Sequence, residues 1–275
     1  MIINFITWDV DPEIFHLGCF SLRWYGALFT ASFVVGYFIM RKIFKQEDIP
    51  LNRLDRLAWY MIFGTLIGAR LGHCLFYEPG FFLKNPVEIL KTWNGGLASH
   101  GAGIGILIAL YIFSRVERHP YLWILDRMAI IVALSGFLIR MGNLMNSEIF
   151  GHVTGLPWGF EFVRSPEWHR FPIHAQPCHP TQIYEALAYF AIFVWLFRIF
   201  FKKGEKPYPG ILFGIFLVSI FTVRFFIEFL KVNQVAFENG MLLNMGQLLS
   251  IPFICCGLYL LMRAKSTNNN YFCSR

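Results

Sequence analysis

The sequence is poor in charged residues, which occupy only 15% of its 275 positions. A soluble domain usually carries about 25%, so this scarcity argues against a domain surrounded by water. Hydrophobic residues reach 56% and aromatic residues 18%, including 31 phenylalanines, and the mean hydropathy is +0.51. Such a composition is typical of proteins that face lipid. It predicts a protein whose surroundings are largely membrane, with membrane lipids as its neighbours.

The chain also lacks the spacings that mark metal or cofactor sites. Its six cysteines form no pair at metal-site spacing, and most lie in apolar runs, which favours small buried side chains. Cys178 differs, because it is predicted to lie outside the membrane, where it could be reactive. The first residues are acidic, so no cleavable signal peptide is predicted, and we predict neither a metal nor a cofactor. The cysteines are Cys19, Cys74, Cys178, Cys255, Cys256 and Cys273.

Seven apolar runs approach the ~20 residues that a membrane-spanning helix needs. They predict an all-α, polytopic fold of seven spans in one domain covering 1–275. The third run is rich in glycine, which predicts close packing against neighbouring helices. The runs are Phe15–Met40, Leu57–Tyr77, Leu97–Ser114, Leu122–Ile139, Ile183–Phe201, Ile211–Leu230 and Gly246–Met262.

Lysine and arginine accumulate in the loops on one side of these runs. Segments 41–56, 114–121 and 198–210 and the tail from Arg263 hold 14 of them, against 5 in the opposite loops. Because positive residues collect on the cytoplasmic side, the N-terminus is predicted outside and the tail, 264–275, in the cytoplasm. The basic residues form no interleaved aromatic face, so the net charge of +7 does not predict binding of nucleic acid.

Polar residues concentrate near the predicted outer ends of the runs. Four arginines fall there, and His100 lies early in the third run. Ionisable residues in spans are functional candidates, but a proton or ion pathway would need them spread across the membrane. Guanidinium groups bind phosphate oxygens through two parallel hydrogen bonds, so the shallow cluster predicts a site for a lipid phosphate. The arginines are Arg23, Arg70, Arg140 and Arg224.

Seven motifs carry a resemblance to a known family. They are LRWYGAL, GARLGHCLFY, SHGAGIG, RMGNLMNSEIFG, HPTQIYEA, RFFIEFLK and MGQLLSIP, in this order. Through them the chain resembles the bacterial prolipoprotein diacylglyceryl transferases over nearly its whole length. The resemblance implies a seven-span protein of the bacterial inner membrane whose active site faces the outer leaflet. It also implies a reaction: the diacylglyceryl group of phosphatidylglycerol moves to the cysteine thiol of a prolipoprotein lipobox, and glycerol-1-phosphate leaves.

The resemblance and the residue types together indicate the main catalytic candidates. Arg140 and Arg224 would hold the departing phosphate, because guanidinium stays charged and offers planar paired donors. His100 would help to deprotonate the substrate thiol, whose ordinary pKa is about 8.5. The alternative for His100 is a core histidine that bonds a backbone carbonyl.

Further candidates surround these three residues. Asn143 is expected to bond a phosphate or ester oxygen, and Asn146 either does the same or caps a turn. Glu148 and Glu228 would orient the arginines or accept a proton. Glu228 follows Arg224 by four residues on one helical face, so a plain salt bridge between them is the alternative.

The remaining predictions concern the edges of the site. Tyr25 either reaches the headgroup or serves as an interfacial aromatic residue, and Gly151 permits a turn. Thr181 is expected to cap the fifth span, with Glu185 packing around the site.

The longest outside loop, 151–178, is predicted to be a head or lid where the lipobox peptide docks. Its residues Glu167, His169 and His174 do not make a convincing metal site. The alternative to the transferase is a transporter of lipids or small solutes. A transporter would be expected to show inverted repeats and polar groups at mid-depth, and the sequence shows neither.

Overall fold

The chain folds mainly into helices in the computed structural model. The structure describes residues 5–18, 20–92, 95–165, 176–202, 208–232 and 240–273. The helices are α1 Trp24–Gln46, α2 Leu51–Phe76, α3 Pro79–Lys84, α4 Ser99–Val116, α5 Tyr121–Met145, α6 Thr181–Phe201, α7 Ile211–Ile227 and α8 Met245–Cys273. The strands are β1 Ile6–Trp8, β2 Glu13–Leu17, β3 Phe20–Arg23 and β4 Phe160–Phe162, and 3₁₀ turns cover Pro86–Leu90 and Glu228–Leu230.

Six helices of the described chain are long and apolar enough to cross a membrane. They are α1, α4, α5, α6, α7 with its 3₁₀ turn, and α8 as far as Ala264. The mainly helical, polytopic character predicted from the sequence is thereby confirmed. α2 carries the predicted second span and has 26 residues, but Arg70 and His73 lower the hydropathy of its apolar stretch. A seventh span in α2 therefore stays a prediction.

The expectation of an all-α chain is wrong at the first predicted span. β2 and β3 form an antiparallel hairpin, so the first helix begins at Trp24 and not at Phe15. Gly18 makes the turn with a φ of 60°, a left-handed conformation that glycine adopts without steric cost. A short apolar run fits a strand as well as a helix, which is why hydropathy placed the start of the span too early.

A second, parallel pair of strands joins the N-terminal segment to the chain that follows α5. Ile6 pairs with Phe160 and Trp8 with Phe162. The indole of Trp8 packs 5.6 Å from the ring of Phe160, and its Nε1 donates a hydrogen bond to the carbonyl of Leu144 at 3.0 Å. The N-terminal segment is thus tied directly to the last turn of α5.

The chain divides into two compact units. The first comprises Met1–Gly36 and Asp126–Arg275, and the second comprises Tyr37–Leu125. The prediction of a single domain over 1–275 stays a prediction. In the first unit, α8 continues through the polar residues beyond Ala264 and ends at Cys273. The predicted tail therefore begins as helix and not as loose chain.

Glycines bring α2 and α4 into close contact within the second unit. A Cβ placed on Gly68 would lie 2.4 Å from the carbonyl oxygen of Gly101. One placed on Gly105 would lie 2.2 Å from the carbonyl oxygen of Gly64. Larger residues would force the helices apart, which is the usual reason for small residues where membrane helices cross. The close packing predicted for the glycine-rich third run is confirmed.

Asp126 fixes the start of α7 within the first unit. Its fully buried carboxylate accepts hydrogen bonds from the N–H of Gly210 at 2.7 Å and of Phe213 at 2.8 Å. The first N–H groups of a helix have no partner within the helix, and a negative charge is favoured there by the helix dipole. Asp126, which belongs to α5, therefore caps a different helix.

Replacing Asp126 by alanine is expected to lower the free energy of unfolding by about 2 kcal/mol, at the upper end for helix caps, because two N–H groups lose their acceptor. Asp126→Asn retains one acceptor oxygen and should lose less. Thermal unfolding in detergent micelles measures both changes. Asp55→Ala removes an exposed carboxylate that bonds Tyr37, and it should change stability by less than about 0.5 kcal/mol. Equal losses at both positions would contradict the capping role.

Candidate active site

The end of α5 and the turn after it are joined by a continuous set of side-chain hydrogen bonds. Nη1 of Arg140 donates to Oδ1 of Asn143 at 3.2 Å, and Nδ2 of Asn143 donates to Oε1 of Glu148 at 2.7 Å. Asn146 reaches the same carboxylate oxygen at 3.3 Å. Helical spacing places Arg140 and Asn143 on one face, while the turn brings Glu148 back toward them. The motif predicted from the sequence therefore assembles into one polar cluster.

The first turn of α6 holds this network in place. Oγ1 of Thr181 donates to the carbonyl of Ile149 at 2.9 Å, and Nε2 of Gln182 donates to the carbonyl of Glu148 at 2.7 Å. Both side chains are completely buried. The prediction that Thr181 caps the helix is wrong, because its hydroxyl bonds the preceding turn and α6 has no side-chain cap. These bonds fix the backbone that carries Glu148.

A buried carboxylate, Glu185, lies between two cations. Its Oε2 is 2.8 Å from Nε of Arg140, and its Oε1 is 3.0 Å from Nζ of Lys231. Lys231 also reaches Oε2 of Glu228 at 3.2 Å. The contact with Arg140 is an ion pair by distance, but its N–H direction is too poor for a hydrogen bond, since Oε2 lacks an aligned donor. Charges buried in this way are kept together by mutual pairing.

The sequence interpretation missed Lys231 as part of the site. It counted this lysine among the basic residues of an outside loop, yet its side chain is only 3% exposed. A salt bridge with Arg224 was one alternative for Glu228, but among the described residues the ion pair of Glu228 is with Lys231. The spacing of three residues between Glu228 and Lys231 is the signal that could have indicated this pair.

Tyr189, on α6, interacts with both arginines that the sequence assigned to phosphate. Its hydroxyl interacts electrostatically with both Arg140 and Arg224, and it bonds Oε1 of Glu185 at 3.4 Å. Arg224, near the end of α7, is half-buried. Arg140 on α5 and Arg224 on α7 thus both act on the same tyrosine of α6.

Tyr25 approaches the same network from α1. A Cβ placed on Gly142 would lie 2.9 Å from Cδ2 of Tyr25, so the ring packs directly on the backbone of α5. The Tyr25 hydroxyl interacts with the charges of Glu148 and Arg140. The structure therefore brings Tyr25 to the predicted site.

Two of the four predicted arginines have other partners. Arg70 is 6% exposed and donates to the backbone carbonyls of Glu88, Ile89, Gly95 and Gly96 at 2.6–3.1 Å. It locks the segment that leads into α4. Arg23 lies on β3, is exposed, and contacts Glu13 at 3.4 Å. The predicted cluster of four arginines is therefore wrong for these two residues.

His100 lies in the second compact unit, apart in sequence from the other candidates. It is the second residue of α4, and its side chain is exposed. Two features fix the backbone around it. The N–H of Ala98 donates to the carbonyl of Ala69 at 2.9 Å, and a Cβ placed on Gly101 would lie 2.7 Å from Cα of Gly72. An exposed ring at this position argues against the alternative of a core histidine.

Gly151 occupies a position where no side chain fits. A Cβ there would lie 2.4 Å from the carbonyl oxygen of Leu230 and 2.8 Å from Cβ of His179. Gly151 also donates its N–H to the carbonyl of His179 at 2.9 Å, while His152 donates to Leu230 at 2.8 Å. The turn after Glu148 is thus packed between the segments that precede α6 and follow α7.

Gly151→Ala is expected to separate these segments, displace Lys231 and the Glu148 turn, and lower transfer activity by at least about 10²-fold, as small misplacements in active sites do. Gly155→Ala is the matched control, because a Cβ at Gly155 meets open space. Initial rates of both variants, measured after gel filtration shows intact protein, test this. Similar rates in the two variants would contradict a packing constraint at Gly151.

The described part of the loop 151–178 packs as a small head. Phe150, Phe162 and Cys178 are buried together with Leu144. Cys178, which could have been reactive if it were accessible, is only 3% exposed. Glu167, His169 and His174, which were not expected to form a metal site, lie outside the described residues. Among the residues that are described, no cluster of His, Cys, Asp or Glu has the composition of a metal site.

Charged and aromatic contacts fasten this head at its surface. Arg164 bonds Asp9 and Asp11, each at 2.6 Å. The backbone N–H of Glu13, and then Arg164, lower the pKa of Asp11. Nearer to α6, Nδ1 of His179 lies 3.3 Å from the hydroxyl of Tyr184, and burial lowers the pKa of His179. His179 is accordingly neutral at pH 7.

Apolar helices around a buried cluster of arginine, lysine and carboxylate define a polytopic membrane protein with a buried polar site. A family model described as prolipoprotein diacylglyceryl transferase matches residues 12–263. The chain belongs to the prolipoprotein diacylglyceryl transferase family.

Relatives that carry the name phosphatidylglycerol–prolipoprotein diacylglyceryl transferase match over almost the whole chain. The protein from Tolumonas auensis is 47% identical over 94% of this chain and 96% of its own length. That from Porphyromonas gingivalis is 47% identical over 94% and 95%. That from Chloroherpeton thalassium is 43% identical over 95% of both chains.

Proposed function

We propose that this protein transfers the diacylglyceryl group of phosphatidylglycerol to the cysteine thiol of a prolipoprotein lipobox. A new sulfur–carbon bond forms at the glycerol carbon, the bond from that carbon to the phosphate oxygen breaks, and glycerol-1-phosphate leaves with the electron pair. Family membership over residues 12–263 supports the reaction. The transporter alternative is not favoured, because the relatives are named as transferases.

The interaction of both Arg140 and Arg224 with the buried Tyr189 is the observation that carries this proposal. A leaving phosphate gains negative charge in the transition state, and preorganised cationic donors stabilise that charge without rearranging. Asn143 accepts a hydrogen bond from the Arg140 guanidinium at 3.2 Å, and Glu185 forms an ion pair with it at 2.8 Å. A fixed plane suits the paired hydrogen bonds that guanidinium makes to phosphate.

The surrounding residues have supporting roles in this proposal. Asn143 and Asn146 offer amide donors to phosphate or ester oxygens, and Tyr25 offers its hydroxyl to the headgroup. Glu148 holds both amides in place through one carboxylate oxygen. Glu228 is held by Lys231 and balances the positive charge of the cluster.

The substrate supplies the nucleophile, so the enzyme must raise the fraction of thiolate. A thiol with a pKa of about 8.5 is mostly protonated at pH 7. We assign His100 to accept this proton, since its ring is exposed at the start of α4 and neutral imidazole is a suitable base near neutral pH.

Orientation and location complete the proposal. The apolar runs predict seven spans, and the distribution of lysine and arginine predicts an outside N-terminus and a cytoplasmic C-terminus. With this orientation, the site would lie toward the outer leaflet of the bacterial inner membrane. The head formed by 151–178 lies beside the Glu148 turn in sequence and would receive the lipobox peptide.

Label transfer tests the reaction directly. Purified protein in mixed micelles receives phosphatidylglycerol labelled in its acyl chains and a peptide containing a lipobox cysteine. We expect acid-stable label on the cysteine sulfur and release of glycerol-1-phosphate. A Cys→Ser peptide and labelled phosphatidylethanolamine serve as controls. Folded protein that leaves the cysteine unlabelled would end the proposal.

His100→Ala should lower the rate of transfer by about 10²-fold or more, which is the usual contribution of a general base. The pH dependence of the transfer rate is the measurement that decides. If His100 removes the proton, the loss should shrink as the pH approaches the thiol pKa, because the substrate then ionises without help. A loss that is independent of pH would contradict the assignment as a base and leave a structural role.

A further inference from the structure

Lys231 lies buried just beyond the end of α7. It follows the 3₁₀ turn Glu228–Leu230, and its side chain is 3% exposed. Its N–H donates to the carbonyl of Glu228 at 3.3 Å, and its backbone forms a β-bridge with Gly151. Stability alone does not explain a buried lysine, because apolar residues of similar size often serve as well. A role in the site next to it is therefore the better explanation.

The Glu185 carboxylate takes its orientation from Lys231. Oε1 of Glu185 accepts hydrogen bonds from Nζ of Lys231 at 3.0 Å and from the hydroxyl of Tyr189 at 3.4 Å. Oε2 lies 2.8 Å from Nε of Arg140 but has no hydrogen-bond partner among the described residues. Hydrogen bonds are directional, whereas the Coulomb energy of an ion pair depends on distance. Lys231 and Tyr189 therefore decide where Oε2 meets Arg140.

Arg140 in turn is held by its own helix and by α6. Its Nη1 donates to Asn143 at 3.2 Å, three residues further along α5. From α6, Glu185 and Tyr189 contact the same guanidinium. A long side chain keeps its rotamer freedom unless its surroundings restrain it. Because Glu185 is one of these restraints, a change in the orientation of Glu185 moves the guanidinium.

Glu228 holds Lys231 on the side away from Glu185. Its Oε2 is 3.2 Å from Nζ of Lys231. Its other carboxylate oxygen lies against the first turn of α8, since a Cβ placed on Gly246 would be 2.6 Å from it. The start of a helix favours a negative charge. Close contacts therefore lead from α8 through Glu228, Lys231 and Glu185 to Arg140.

We propose that Lys231 is a positioning residue for the transfer and acts on the lipid phosphate through Glu185 and Arg140. This inference rests on the proposed function, because it takes Arg140 as the group that holds the leaving phosphate. Lys231 fixes the Glu185 carboxylate, and that carboxylate keeps the Arg140 guanidinium where the phosphate binds. No bond to Lys231 is made or broken.

Direct contact between Lys231 and the phosphate is the competing role, and the contacts of Lys231 argue against it. An ammonium group has three N–H donors. Nζ of Lys231 donates to Glu185 at 3.0 Å and to Glu228 at 3.2 Å, and almost none of the side chain is exposed. The lysine is thus committed to carboxylates of the protein, whereas Arg140 is the cation left to meet the lipid.

Rates of label transfer in a double-variant cycle test the inference. Lys231→Met should lower kcat/KM by about 10²-fold, the usual cost of a small misplacement in an active site. Arg140→Ala combined with Lys231→Met should stay within about threefold of Arg140→Ala alone, because residues that act as a unit are not additive. Losses that multiply would show that Lys231 contacts the phosphate or acts without Arg140, and the inference would be overturned.

A conservative variant and a matched control separate positioning from a general effect on the protein. Lys231→Arg keeps the charge and offers several donors to the two carboxylates, so its rate should stay within about threefold of the wild type. Lys91 pairs with Glu88 at the same spacing of three residues but is 37% exposed. Lys91→Met should therefore change the rate less than about twofold. A Lys231→Arg rate as low as that of Lys231→Met, or equal losses in the two methionine variants, would contradict the inference.

A second background guards against misfolding. Lys231→Met leaves Glu185 and Glu228 with one cation fewer, so the same substitution is also made in Glu228→Gln, where a cation and a carboxylate are lost together. Relative to Glu228→Gln, the added substitution should still lower kcat/KM by about tenfold or more, measured after gel filtration shows intact protein. No added loss would overturn the inference. Failure of the proposed function looks different, because wild-type protein would then leave the lipobox cysteine unlabelled.

Discussion

Arg140→Ala should lower kcat/KM for transfer from phosphatidylglycerol by about 10²–10³, the loss that follows removal of a preorganised donor to a developing anion. The side chain is 12% exposed, and Glu185 and Asn143 hold it from two sides. Alanine removes the positive charge and the paired donors together. Initial rates of label transfer over a range of lipid concentrations measure the effect.

Arg140→Lys separates charge from geometry at this position. Lysine keeps the positive charge but offers a compact ammonium group in place of a planar fork, so most of the loss should remain. Arg115→Ala is the control, because Arg115 is an exposed arginine that bonds the hydroxyl of Tyr111, and its rate should match the wild type. Full activity in folded Arg140→Ala would remove Arg140 from the mechanism.

Glu185→Gln should lower the free energy of unfolding by about 3–5 kcal/mol, as expected when one partner of a buried ion pair is removed. Glu185 is completely buried and contacts both Arg140 and Lys231. Glutamine has nearly the same shape, so the loss reports the uncompensated cations and not a cavity. Thermal unfolding in detergent micelles, monitored by circular dichroism, measures it.

A double variant shows whether the loss comes from charge. Glu185→Gln with Lys231→Met removes one buried cation with its counterion, and pairs replaced in this way often recover stability. The double variant should be more stable than Glu185→Gln alone, with a coupling free energy of about 0.5–3 kcal/mol. Simple additivity of the two single losses would show that Glu185 and Lys231 do not depend on each other.

The hydrogen-bonded network at the end of α5 could be predicted because its residues are close together in the sequence. Arg140 and Asn143 lie three residues apart on α5, and Glu148 follows Asn143 by five residues. Residues so close in sequence can meet whatever the rest of the fold does. Glu185 and Lys231 could not be placed in the same way. They are 46 residues apart, and their contact depends on how α6 packs against the end of α7.

Arg70 and Arg140 show the limit of an argument from residue type and depth. Both are arginines late in a predicted outward-running span, so hydropathy assigned both to a phosphate site. In the structure, four backbone carbonyls accept hydrogen bonds from Arg70, whereas Arg140 faces a carboxylate and an amide. Depth alone does not say which partners surround a side chain, because partners come from segments distant in sequence.

The sequence by itself determined the membrane class, the apolar helices, the close packing of the glycine-rich third run, and the family. These properties depend on composition, periodicity and short motifs, which are carried by neighbouring residues. Tertiary structure alone decided that residues 13–23 form a hairpin, that Asp126 caps α7, and that Lys231 and Glu185 belong to the charged cluster. The reason is that a buried charge needs an opposite charge and an unpaired N–H needs an acceptor. Packing decides which distant residue supplies that partner.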